Sequence, residues 1–132
     1  MKIKHLILTI SAVSILCSFM AQQKPWDIPD EFKTKKNPVA KTEKSLAEGK
    51  SKYNQVCAGC HGYAGKGDGE KIKNLANIKP VSIVDERVIK ETDGEHFYKI
   101  KYGRERNHSF SGKIDDETIW KVIHYTRTFA AK

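Results

Sequence analysis

Residues 57 to 61 read Cys-Ala-Gly-Cys-His, and this short stretch constrains the chain more than any other. Cys-x-x-Cys-His is the haem-attachment pattern. Two intervening residues place the sulfurs of Cys57 and Cys60 so that each can form a thioether with one haem vinyl group. His61 then lies under the iron, and its imidazole becomes the proximal ligand. Ala58 and Gly59 are small, which suits a backbone pressed against a porphyrin. Three other readings explain less. A disulfide between Cys57 and Cys60 leaves His61 without a role. A thioredoxin-like redox pair sits at a strand-to-helix turn in a βαβ pattern, and the chain has no such pattern. A structural zinc site wants four ligands in a tetrahedron, whereas Cys60 and His61 are adjacent and there is no second cysteine pair.

The N-terminus agrees with covalent haem in an exported protein. Met1-Lys2-Ile3-Lys4 is followed by an apolar run from Leu6 to about Leu16 and then by Ala21. A charged start, a short apolar stretch and a small residue describe a secretory signal peptide, and the run is too short to span a bilayer as a mature helix. Residues 1–21 are therefore read as a leader, with Gln22 as the new N-terminus and the periplasm as destination. Phe19 is not the small residue the cleavage pattern prefers. The rival reading makes Cys17 a lipid-modified terminus, and it ranks second because Leu16 stands where a small residue is expected.

Cleavage removes Lys2 and Lys4, taking the 24 basic residues to 22 against 16 acidic, a net charge of +6 before haem. A moderately basic, lysine-rich surface is attracted to acidic partners. Nucleic acid is not among them, because no basic stretch is interleaved with aromatics and the chain is read as exported. No nucleophile–base pair appears either, so the chain is not expected to be an enzyme on its own, and no small-molecule substrate is indicated.

Residues 22–44 hold Pro25, Pro29 and Pro38, many lysines and little apolar periodicity. This composition predicts an extended, loosely held arm with Trp26 and Phe32 as anchors. Residues 45–132 form the remaining domain. Ser45-Leu46-Ala47-Glu48 reads as a capping box opening a first helix, with Leu46, Tyr53 and Val56 near one face. Gly49 costs that helix stability and is expected to let another helix approach closely. Residues 62–91 are rich in Gly and Lys and read as loops. Thr92-Asp93-Gly94-Glu95 is a second capping box, for a short helix that stops at Gly103. After a polar loop, Asp115 caps a last helix with Ile119, Val122, Ile123 and Phe129 on its apolar side and Trp120 adjoining. The expected class is all-α, three main helices and loops wrapped around one covalent haem c. So thin a core needs a staple, which a buried haem supplies.

The chain resembles the class I cytochromes c of the small bacterial type. The matching stretches are Gly49 to Gly62 through the haem motif, Gly65-Lys66-Gly67-Asp68-Gly69, Asp93 to Ile100, and Ile119 to Phe129. The resemblance covers about residues 45 to 130. It implies an all-α fold whose N- and C-terminal helices cross near a glycine and an aromatic, matched here by Gly49 and Tyr125. It also implies a proline on the proximal side of the haem, matched by Pro80, and a nearby backbone carbonyl that takes the hydrogen bond of the ligand histidine.

One departure matters for function. The family supplies a methionine as sixth iron ligand, a few residues after the glycine that ends the middle helix. That stretch here reads Gly103-Arg104-Glu105-Arg106-Asn107-His108-Ser109-Phe110, with Asn107 where methionine is expected. The only methionines are Met1 and Met20, both within the leader. His108 is the leading replacement, because a free imidazole beside an open site tends to bind haem iron. Asn107 as a weak ligand and an open or water-filled position are the alternatives. His96 and His124 rank last, since their helix positions read as exposed. A six-coordinate haem points to an electron carrier between redox partner proteins that are acidic or membrane-bound. An open site points to a protein that binds or senses NO or CO, and a third reading makes the chain an electron-transfer subunit of a larger complex.

Overall fold

A computed structural model of the chain describes residues 25–73, 80–104 and 109–131. Among these residues the backbone is helical with no strand, as the patterning predicts. In chain order the helices are α1 (Asp30–Lys33), α2 (Glu43–Val56), α3 (Ala58–His61), α4 (Glu86–Ile89), α5 (Asp93–Tyr102) and α6 (Asp116–Thr126), with 3₁₀ turns at Glu70–Ile72 and Arg127–Ala131. Helices α2, α5 and α6 are the three long ones. The leader, with Cys17 and Ala21, lies outside the described residues, and so do Asn107 and His108. No helix of the described residues is long and apolar enough to cross a membrane.

Two of the three helix starts are where the sequence places them. Thr92 caps α5 by accepting from the Glu95 amide, and the Glu95 carboxylate accepts from the Thr92 amide at 2.7 Å. Asp115 caps α6, its carboxylate accepting from the Thr118 amide at 2.8 Å. The first start needs correcting. The cap of α2 is Thr42, three residues before Ser45. Thr42 Oγ1 accepts from the Ser45 amide at 3.1 Å, and Ser45 Oγ accepts from the Thr42 amide at 2.8 Å. Serine here does the reaching back that a glutamate usually does, so Ser45 closes the box instead of opening it.

Helices α2 and α6 cross backbone to backbone at Gly49. A Cβ there would stand 2.1 Å from the Lys121 carbonyl oxygen, which is why the position carries no side chain. One turn further along α2, the buried Tyr53 ring meets Tyr125 edge-on at 5.5 Å and Phe129 at 5.3 Å. Trp120, expected to adjoin the apolar side of α6, is part of it: only 3 % exposed, stacked on Phe97 of α5 at 4.2 Å.

The arm is packed down rather than loose. Ile28 and Phe32 are buried in the same cluster as Phe97, Ile119, Trp120 and Ile123. Phe32 stacks against Phe97 at 6.2 Å, and a Cβ on Gly94 of α5 would stand 2.0 Å from the Phe32 carbonyl oxygen. Further along, Asn37 Nδ2 donates to the Trp120 carbonyl at 3.0 Å and His124 Nε2 lies 2.7 Å from the Val39 carbonyl. Burying two large apolar side chains contributes about 1.5–3 kcal/mol each. That is enough to hold a short segment whose prolines already restrict its unfolded states.

Candidate functional site

The last turn of α2 delivers the motif. Cys57 ends α2 and starts α3, and the Cys60 and His61 amides both donate to the Cys57 carbonyl, at 3.1 and 2.9 Å. Cys57, Cys60 and His61 thus stand on one helical turn, which Gly62 ends at φ +78°. Tyr53, buried on α2, donates its hydroxyl to the Gly62 carbonyl at 2.7 Å and fixes the turn against the crossing helices.

The glycine-rich loop after the turn folds back on it. The Gly67 amide donates to the His61 carbonyl at 2.8 Å and the Gly69 amide to the Cys60 carbonyl at 3.2 Å. Gly65 and Gly67 have φ of +71° and +77°, in the left-handed region that favours glycine. Their lack of side chains lets residues 80–83 lie close. The Ile83 amide donates to the Gly65 carbonyl at 2.7 Å, and a Cβ on Gly67 would stand 2.8 Å from the Pro80 carbonyl oxygen. Held there, the Val81 carbonyl stands 3.3 Å from His61 Nδ1. A histidine that donates from Nδ1 carries its lone pair on Nε2, the tautomer a metal takes. Pro80 therefore sits one residue before the carbonyl that faces His61. A main-chain carbonyl has no side-chain signature, so the sequence pointed to Pro80 but not to Val81.

Cys57 and Cys60 are both half-buried and form no disulfide with each other. Two thiols and an imidazole on one turn, the imidazole held from behind by a carbonyl, are a donor set that fits a covalently held haem. One turn before Cys57, the buried Asn54 Oδ1 has no hydrogen-bond partner. Buried polar atoms are nearly always paired, so this one marks a place beside the motif where a polar partner belongs.

The two remaining described histidines are not the exposed residues their positions implied. His96 is buried, its Nε2 2.9 Å from the Val88 carbonyl, and His124 is half-buried with Nε2 on the Val39 carbonyl. Polar residues at these positions face neighbouring backbone instead of solvent.

The family model described as cytochrome c oxidase, cbb3-type, subunit III matches residues 44–125, from the second residue of α2 to one short of the end of α6. The chain belongs to this family. It is therefore a c-type cytochrome, a haem-based electron-transfer domain whose haem is covalently bound and whose partners are redox proteins. The matched span contains the motif, the glycine loop and all three long helices of the cytochrome, and it leaves out the packed arm before residue 44. No curated protein matches the chain.

Proposed function

We propose that this cytochrome is an exported, periplasmic carrier of single electrons with one haem. Cys57 and Cys60 form the thioethers, His61 is the proximal ligand and Pro80 lies on the proximal side. The observation that carries this reading is His61 at the end of the two-cysteine turn with Nδ1 facing the Val81 carbonyl. The haem supplies an iron that changes oxidation state by one electron. The chain's part is to hold it covalently through Cys57 and Cys60 and to orient His61. The sixth ligand is not sulfur, because cleavage after Ala21 removes both methionines and haem takes both remaining cysteines. His108 is the proposed ligand and Asn107 the alternative. Replacing methionine with histidine lowers the reduction potential, which makes a more reducing carrier. The net charge of +6 on the chain after the leader favours acidic redox partners. The family's description adds a second reading, a subunit that passes electrons within an oxidase.

Visible spectra of the oxidised and reduced protein, with and without CO, test the proposal. The haem should stay on the polypeptide after acid denaturation and solvent extraction, and Cys57→Ala with Cys60→Ala should give no stable holoprotein. The ferric protein should be low-spin without the near-infrared band of iron–methionine sulfur. His108→Ala should turn it high-spin or open it to CO, and His108→Met should raise the potential. A wild type that is high-spin and takes up CO at once removes the six-coordinate reading, and NO or CO binding then becomes the proposed function.

A further inference from the structure

Apolar packing alone does not call for a hydroxyl at position 53. The Tyr53 ring is fully buried, with Tyr125 and Phe129 set edge-on against it. Phenylalanine would fill the same space with no polar atom to satisfy. A buried hydroxyl left unpaired costs about 1–3 kcal/mol, so the partner it has is informative. That partner is the carbonyl of Gly62, the residue directly after His61, at 2.7 Å. The same carbonyl accepts from the Gly65 amide at 3.2 Å, and the Gly62 amide donates to the Ala58 carbonyl at 2.8 Å. Gly62 is therefore the joint between two pieces of structure that meet at His61. One is the helical turn that carries Cys57, Cys60 and His61. The other is the glycine loop, which holds residues 80–83 and keeps the Val81 carbonyl 3.3 Å from His61 Nδ1. Tyr53 ties this joint to α2, one turn past the point where Gly49 meets α6.

We propose that Tyr53 is a positioning residue for the His61 ring. Its hydroxyl holds the motif turn and the glycine loop in the relation that keeps the Val81 carbonyl behind Nδ1. Through that contact it sets how strong a donor His61 is. The inference rests on the proposed reading of His61 as the proximal ligand. A stronger hydrogen bond from Nδ1 raises the basicity of the ring and favours ferric iron, so loosening the joint raises the reduction potential. The bland alternative is that the hydroxyl merely ties α2 to Gly62. That role moves the melting temperature and nothing at His61.

The test uses holoprotein with Tyr53→Phe, Gly67→Ala, the two combined, and Ile123→Val. Ile123 is buried on α6 in the other core cluster, so its truncation reports stability alone. The readouts are exchange of the His61 Nδ1 proton with solvent, followed by NMR, and redox titration. In Tyr53→Phe the exchange should run roughly twofold to tenfold faster, the factor that one hydrogen bond's net contribution gives, and the reduction potential should rise. Ile123→Val should lower the melting temperature and leave both readouts alone. Gly67→Ala loosens the same Val81 contact from the loop side, so its potential shift and that of Tyr53→Phe should add to less than their sum in the double variant. Wild-type exchange and potential in Tyr53→Phe, equal changes in Ile123→Val, or full additivity in the double variant overturns the inference and leaves His61 as ligand. A His61→Ala protein that keeps the wild-type low-spin spectrum overturns the ligand assignment and the inference with it.

Discussion

An imidazole that binds iron through Nε2 carries its proton on Nδ1, and what that proton meets decides how strong a donor the ring is. In the proposed ligation by His61 it would meet the Val81 carbonyl, which stands 3.3 Å from Nδ1, a long hydrogen bond. Of the residues that hold this carbonyl in place, Gly67 meets His61 only through its main chain, its amide donating to the His61 carbonyl at 2.8 Å. The tightest is Gly67, with φ +77° and the Pro80 carbonyl 2.8 Å from where a Cβ would stand. Gly67→Ala therefore meets two costs: a left-handed conformation worth about 1–2 kcal/mol, and a retreat of residues 80–82 from the loop. Retreat weakens the hydrogen bond on His61 Nδ1, makes the ring a poorer donor and disfavours ferric iron. Under the proposed ligation, Gly67→Ala should melt at lower temperature and show a higher reduction potential. Redox titration beside thermal unfolding separates the two effects. A lower melting point with an unchanged potential would mean that Val81 does not tune His61.

The pair of elements that holds the site is α2 on α6, and their closest point is Gly49 beneath the Lys121 carbonyl. Overpacking a well-filled interface usually costs about 1–3 kcal/mol, and here the obstacle is backbone, which yields less than a side chain. Gly49→Ala should cost at least that much, or roughly 4–8 °C of melting temperature for each kcal/mol in a domain of this size. The same crossing carries an ion pair, Lys121 Nζ to Glu48 at 2.7 Å and to Glu117 at 2.6 Å. Both carboxylates are well exposed, so water screens the pair. Glu48→Gln should change stability by less than about 1 kcal/mol. Denaturant unfolding of the two variants compares packing with charge on one interface, and a Glu48→Gln loss as large as that of Gly49→Ala would reverse the ranking.

Across the whole molecule, what the sequence reveals is what local chemistry requires. Thioether spacing, the caps Thr92 and Asp115, and a glycine where two helices meet all leave their mark within a few residues. The arm marks only its anchors, Trp26 and Phe32, and not how firmly it is held, because Phe32 is buried by Phe97 and Trp120, more than sixty residues away. A lysine-rich stretch with prolines looks the same whether or not such partners wait for it. His96 was missed for a related reason: a polar residue on a helix reads as solvent-facing until its surroundings are known. Those surroundings join three parts of the fold. His96 Nε2 lies 2.9 Å from the Val88 carbonyl and 3.4 Å from the Glu91 carboxylate, which also pairs with Lys99. Arg127, after α6, donates to the Ile89 and Glu91 carbonyls and to Asp93. Burial pushes His96 below its ordinary value of 6.5, and Arg127 and then Lys99 add to this, while the Val88 carbonyl and Glu91 oppose it. The folded protein thus takes up this proton at lower pH than the unfolded chain does. Below about pH 6.5 the unfolded state binds more protons, so stability is fully present above that pH and falls as the solution is acidified through it. One such group gives a slope of at most about 1.4 kcal/mol per pH unit. The window between pH 7 and 5.5 lies above the range in which carboxylates titrate, which isolates the histidine contribution. Unfolding measured at both pH values should show wild-type stability dropping across the window. His96→Gln, which retains a side-chain donor for the Val88 carbonyl but cannot take up the proton, should be less stable at pH 7 and should lose less on acidification. Equal losses in the two proteins would place the acid-sensitive group elsewhere.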